Sequence, residues 1–264
     1  MSGFSATWLA LREPLDLAAR NNDVEAAFFG ALPADPPKIL DLASGAGSTV
    51  AALAGVKPGI HWILSDYDSD LLSVAASRDY ATKPGSLQTR EIDLSANLKE
   101  LPFDAVDAIT TSAFLDLVSE TFLTQLVEAI VSSRRPFLAS LTYDGRTGFI
   151  PAEPLDQDLC DEMNRDQQTD KGFGPALGPR AAERAIALFQ AKGYRIVSGE
   201  SDWVICPQHE DFLAEFLPGW IGAGIKQGVE KSRADDWLES RRSQIADSAF
   251  TMTVGHLDFV ALPA

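Results

Sequence analysis

The sequence predicts a doubly wound α/β fold, with seven strands in a mostly parallel sheet and helices on both faces. Two observations carry this. Apolar, strand-like runs alternate with helix-like segments five times between Lys38 and Tyr143, as parallel crossover units require. The chain has 264 residues and is 45% hydrophobic, enough to give one such domain a proper core.

Residues 6 to 31 mix small, apolar and charged groups without strand-like alternation. They read as two helices divided at Pro14, the second running from about Leu15 through Arg20 to Phe29. Asp35-Pro36-Pro37 then breaks the chain before the first strand, Lys38-Ile39-Leu40-Asp41-Leu42. A turn follows, Ala43-Ser44-Gly45-Ala46-Gly47-Ser48-Thr49, and the small-residue run Val50 to Ala54 opens a helix. Gly45 and Gly47 carry no Cβ, so the turn can take unusual dihedrals and let a ligand approach the backbone beside the helix's unpaired N–H groups. This is a nucleotide-site layout, in which Asp41 can accept a hydrogen bond from an amine or hydroxyl of the ligand.

Ile60 to Asp66 is the second strand and again ends in an acid, after which Asp68-Ser69-Asp70 caps a helix holding Leu71, Leu72 and Val74. Leu87 to Leu94 is the third strand, with Asp93 near its end, and Ala105 to Thr111 the fourth, opening into Ser112-Ala113-Phe114-Leu115-Asp116. Phe122, Leu126 and Ile130, with Leu123, Val127 and Val131, form rows on one helix face. Pro136 to Tyr143 is the fifth strand, and Asp144-Gly145-Arg146-Thr147-Gly148 reads as its exit loop. A polar stretch containing proline and glycine interrupts the pattern from Phe149 to Pro179. A helix from Ala181 to Ala191 and a strand from Tyr194 resume it, a helical interruption follows with Phe212, Phe216 and Trp220 at helical spacing, and Phe250 to Leu262 is the last strand. The expected organisation is one domain: a helical N-terminal cover (1–37), a ligand-binding half (38–143), an insertion (144–180), and a C-terminal half (181–264) with a helical insertion at about 207–247.

Charge narrows the function classes. Lys and Arg total 22 against 38 Asp and Glu, a net charge of −16, which repels nucleic acid and anionic membranes. No run of about 18 apolar residues spans a bilayer, and the start Met1-Ser2-Gly3-Phe4 lacks a charged segment followed by an apolar one, so a cytoplasmic location is expected. Cys160 and Cys206 have neither disulfide-framework numbers nor zinc-ligand spacing, and no metal is expected.

These motifs together resemble the class I, Rossmann-like S-adenosylmethionine-dependent methyltransferases over most of the chain. Asp41-Leu42-Ala43-Ser44-Gly45-Ala46-Gly47 resembles the family's first motif. The resemblance implies that Asp66, with Tyr67 beside it, holds the ribose hydroxyls, that Asp93 and Leu94 hold the adenine, and that Ser112, Ala113 and Phe114 line the methionine end. It also implies an antiparallel last strand and an N-terminal cation for the cofactor's carboxylate, for which Arg20 is preferred to Arg12 because its helix leads directly into the first strand. S-adenosylmethionine, released as S-adenosylhomocysteine, is the implied cofactor, and methyl transfer by in-line displacement to a small-molecule acceptor the implied reaction.

A non-catalytic protein that only binds the cofactor is one alternative, and an NAD(P)-dependent oxidoreductase another. Against the second, Val50 occupies the place of a third glycine, and no tyrosine is followed four residues later by lysine. The fourth-strand exit carries no Asn-Pro-Pro-Tyr type signature, which argues against methylation of nucleic-acid amines. Acceptor contacts are expected from the insertion and its approach, with Tyr143, Asp144, Arg146, Asn164, Arg165, Gln168 and Lys171 as polar candidates and Phe173 as a lid anchor or hydrophobic plug. His256 is the candidate base. Asp116 and Asp144 do not match the metal-binding carboxylates of catechol-type methyltransferases and read as surface caps.

Overall fold

Asn21, not Pro14, divides the two N-terminal helices. The computed structural model describes residues 4–264; Met1 to Gly3, part of the start in which no leader segment is expected, lie outside the described residues. Helix α1 (Ala6–Ala19) runs through Pro14 and is capped by Ser5, whose side chain accepts from Trp8 N. Pro14 removes one backbone donor, but burial of Arg12, Leu15 and Asp16 holds the helix against the body of the protein. Asn21 then accepts from the N–H groups of Asp23 and Val24 and starts α2 (Asn22–Gly30).

The alternating part follows as β1 (Lys38–Leu42), α3 (Ser48–Leu53), β2 (His61–Asp66), α4 (Ser69–Ser77), β3 (Ser86–Glu91), the single turn α5 (Leu94–Asn97), β4 (Ala108–Ser112), α6 (Glu120–Ser133) and β5 (Phe137–Ile150). After it come α7 (Asp156–Gln167), α8 (Ala181–Ala191), β6 (Arg195–Glu200), β7 (Trp203–Ile205), α9 (Glu210–Lys226), α10 (Lys231–Ala246) and β8 (Thr251–Leu262). The sheet order is β3-β2-β1-β4-β5-β8-β6. The links from β3 to β5 are parallel, and β8 runs antiparallel to both β5 and β6. Adjacent strand residues serve opposite faces. Ile39 packs with Phe28, Val50 and Leu72 of α2, α3 and α4, whereas Leu40 packs with Leu123, Val127 and Phe189 of α6 and α8.

Two further expectations are corrected. The sheet has eight strands, because three-residue β7 pairs with the start of β8. Asp144 to Gly148 is not an exit loop: β5 continues to Ile150, and the register shift between Tyr143 and Thr147 makes the stretch a bulge, with Gly145 at φ 87°. A long apolar β8 continues to pair beyond the turn signals and carries β5 on with it. The insertion combines loop and helix, as expected of a loop/helical cover: α7 forms on a narrow stripe whose buried residues are Leu159 and Cys160.

The extended ends of β5 and β8, with β7, support a second core beside the sheet. Phe149, Trp220, Trp237, Phe250 and Met252 meet there with Leu159 and Leu217, bringing α7, α9 and α10 together over that end. Among the described residues no helix is long and apolar enough to cross a membrane.

Candidate functional site

The carboxyl ends of β1, β2 and β4 open into a cavity of about 340 Å³. Its floor is the glycine turn. Ala43 and Gly45 both take positive φ, 51° and 49°. The turn is pinned from below, where Ser44 N donates to Ser65 O at 3.0 Å and the Ser65 hydroxyl donates to Asp41 O at 2.8 Å. Gly45 N donates to Asp66 Oδ2 at 2.8 Å, and Asp68 N to Asp66 Oδ1 at 3.0 Å, so one carboxylate fixes both the turn and the start of α4. Burial raises the pKa of Asp66, and those two backbone N–H groups oppose the rise by stabilising the ionised form.

The residues expected at a cofactor site divide into two sets. Ala43, Ser44, Gly45, Asp66, Tyr67, Asp93, Leu94, Ser112, Ala113 and Phe114 all line this cavity. Asp93 also caps α5, accepting from Ser95 N at 2.9 Å. Phe173 closes one wall, packed edge-on to Phe114 and Phe122 at 5.4 and 4.7 Å, as a plug would be. Asp41, Gly47 and Arg20 do not reach the wall. Asp41 is fully buried below it, accepts from the Thr110 hydroxyl at 2.7 Å, and burial pushes its pKa up to about 6. Arg20 is buried and donates to the Ser112 hydroxyl at 3.2 Å from behind. Two arginines do reach the cavity: Arg12, one turn below Trp8 on α1, and Arg78, which is paired with Glu13.

Gly47 serves packing. It caps α3 with φ 85°, and a Cβ there would lie 2.2 Å from the hydroxyl of Tyr80, which is itself buried and bonded to Ala75 O. Gly47→Ala is expected to cost about 1–3 kcal/mol through this overlap and the left-handed backbone. A lowered urea midpoint with unchanged slope checks it.

A second cavity of about 830 Å³ adjoins the first, and Phe4, Arg12, Ala113, Leu117 and Lys171 line both. Its walls come from α1, α7, α9 and from strands β5, β7 and β8. Arg12 is held there by Asp16, at 3.0 and 3.2 Å, and lies over the Trp203 ring, whose Nε1 donates to the same Asp16 at 3.1 Å. Lys171 and Lys226 both bind Asp166, at 2.8 and 2.6 Å.

Of the residues expected to contact an acceptor, Tyr143, Lys171 and His256 line this chamber. Asn164 stands behind it, accepting from the Tyr143 hydroxyl at 2.7 Å and donating to Gly145 O. Arg146 faces outward, its guanidinium spread over Asp144, Glu200 and Asp202, and Arg165 is exposed on α7 beside Glu162. These two arginines are therefore not brought to either cavity. Asp116, read from sequence as a surface cap, is instead buried in the short turn after β4, and it lines the second chamber. Its Oδ1 has no hydrogen-bond partner among the described residues.

His256 is a poor base at neutral pH. Burial, with the charge of Arg12, pushes its pKa down to about 3, and Nδ1 pairs with Val254 O at 3.0 Å. In the unfolded chain the imidazole gains a proton below its ordinary value of 6.5, whereas the folded one stays neutral, so its contribution to stability is present above 6.5 and is lost as pH falls toward 3. The stability of the wild type relative to His256→Gln is thus expected to shrink by about 2 kcal/mol between pH 7.5 and 5, as chemical denaturation at each pH would show.

No family model and no curated protein matches the sequence. Solved structures do match along the whole chain. A cyclopropane-fatty-acyl-phospholipid synthase-like protein from Lactobacillus casei aligns with TM-score 0.55 and 11% identity, over 98% of this chain and 95% of its own. A methyltransferase from Thiobacillus denitrificans, in complex with S-adenosylhomocysteine, aligns at 0.50 with 13% identity over 99% of both chains. Phosphoethanolamine N-methyltransferase 2 of Haemonchus contortus, in complex with S-adenosylmethionine, aligns at 0.50 with 16% identity over 100% of this chain, which spans 59% of that longer protein. The sheet order, the antiparallel β8 and these alignments agree: the chain has the fold of the class I S-adenosylmethionine-dependent methyltransferases.

Proposed function

We propose that the protein transfers a methyl group from S-adenosylmethionine to a small-molecule acceptor, with the cofactor in the first cavity and the acceptor in the second. The observation that carries the reading is the convergence of Asp66, Asp93 and the Gly45 turn on one cavity at the carboxyl edge of the sheet. The donor set fits the cofactor. Asp66 offers carboxylate oxygens to vicinal hydroxyls, Leu71, Ile92 and Leu94 offer apolar walls to a flat base, and Asp93 can accept from an exocyclic amine. Arg12 supplies the positive charge at the opposite end, where the two cavities join. When bound, the cofactor supplies a sulfonium-activated methyl group.

The remaining work of the chain is alignment and exclusion of water. Ala113 and Leu117 border both cavities, so an acceptor in the second chamber meets the contents of the first across them. Helix α1 and the segment carrying Lys171 and Phe173 roof the junction, the role proposed for the N-terminal cover and the insertion. The net charge of −16 supports a small, non-nucleic-acid acceptor. Tritium transfer from methyl-labelled cofactor into a metabolite extract tests the reaction. Label appearing in a small organic product is the expected result; binding of cofactor without any transfer would leave a non-catalytic binding protein.

A further inference from the structure

We propose that Asp116 is the group that binds the acceptor's hydroxyl and takes its proton, and that the acceptor is a planar aromatic molecule carrying that hydroxyl. The proton-transfer part rests on the methyl-transfer reading above; the binding part stands independently of it.

Asp116 is 7% exposed, and burial of a carboxylate oxygen without a hydrogen-bond partner is costly unless something else satisfies it. In sequence it falls between Ala113 and Leu117, the two residues of this segment that border both cavities, and it lines the second of them. Several of the other polar groups around the chamber are engaged. The Tyr143 hydroxyl donates to Asn164, His256 Nδ1 pairs with Val254 O, Trp203 Nε1 donates to Asp16, and Lys171 and Lys226 are held by Asp166. Besides Asp116, only the Trp220 indole N–H among the chamber's side chains is buried without a partner among the described residues.

The remaining walls select the ligand. Trp8 and Phe216 lie nearly parallel, with centroids 6.0 Å apart, and Trp203 meets Phe216 at 6.0 Å and His256 at 4.7 Å. Such surfaces favour a flat π-system by stacking and edge contacts. Arg12 and Lys171, although each is paired with a carboxylate of its own, both act on Asp116 as positive charges, which disfavours an ammonium group beside them. Burial pushes the Asp116 pKa up to about 6, against those two cations, which suits a proton acceptor near neutral pH. In the step itself the acceptor oxygen bonds to the methyl carbon as the carbon–sulfur bond breaks. The bonding pair stays on sulfur, which becomes a neutral thioether, and the hydroxyl proton passes to the Asp116 carboxylate.

Calorimetric titration of the full-length protein with 2-naphthol and with 2-methoxynaphthalene, which keeps the ring but lacks the donor, tests the proposal. Wild type is expected to bind 2-naphthol at least tenfold more tightly, and Asp116→Asn to erase that preference while changing S-adenosylhomocysteine affinity by less than twofold. Equal binding of both compounds by wild type, binding of neither, or a preference that survives Asp116→Asn would overturn it. Because the first comparison uses wild type alone, the test stands even if the variant fails to fold. A retained naphthol preference without any S-adenosylhomocysteine binding would sink the methyl-transfer reading and leave the acceptor site intact.

Discussion

Asp66→Ala is expected to weaken binding of S-adenosylmethionine by about ten- to a hundredfold, the equivalent of one lost charge-assisted interaction of about 1.5–3 kcal/mol. Two effects act in the same direction. The variant removes a carboxylate that lines the cavity, and it releases Gly45 N, which Asp66 Oδ2 holds at 2.8 Å, so the floor of the site loosens. Thermal stability should change little, because deleting a buried carboxylate also removes the desolvation that raises its pKa. Calorimetry on the folded variant measures the affinity, and wild-type affinity in Asp66→Ala would place the cofactor elsewhere.

Arg241→Met should produce the largest loss of stability, about 3–5 kcal/mol, because it removes a fully buried, multiply bonded cation and leaves the half-buried carboxylates of Asp156 and Glu153 without it. Arg241 is fully buried on α10. Its guanidinium donates to Pro151 O at 2.7 Å and to Gln244 Oε1 at 2.8 Å, pairs with Asp156, and has Glu153 at 3.7 Å. It also lies over the rings of Phe149 and Trp237, each at 5.0 Å, and of Phe250 at 5.6 Å. One side chain thereby ties α10 to the start of α7 and the end of β5, the frame on which the second chamber is built. At about 2–4 °C per kcal/mol, the melting temperature should fall by roughly 10 °C, with a smaller fall for Arg241→Lys, which keeps the charge but not the fork.

Where the sequence could be read, one-dimensional signals were strong. Strands β1, β2 and β4 are apolar runs ending in turn residues, and α6 has a full apolar stripe. The failures have particular causes. Three-residue β7 exists only because β8 offers an edge to pair with, and α7 is so polar that its two buried residues give no visible periodicity. Pro14 and Asp144-Gly145 are genuine break signals overruled by packing of α1 and by pairing with β8.

The same distinction governs the site. Asp66, Asp93 and the glycine turn stand at or just past strand ends, where the family resemblance pointed, whereas Arg12 and Asp116, proposed here, had no such signal. Choosing Arg12 over Arg20 requires the face of α1 that meets the cavity, and recognising Asp116 requires its burial after β4. Arg146 and Arg165 looked suitable by residue type, but the bulge in β5 and the outer face of α7 turn them to solvent.

Isothermal titration of the folded wild-type protein with S-adenosylmethionine and S-adenosylhomocysteine tests the assignment of the first cavity most directly. Saturable one-site binding of both, with NAD producing no heat, is the predicted result. Absence of binding by both, or binding of NAD in their place, would contradict it.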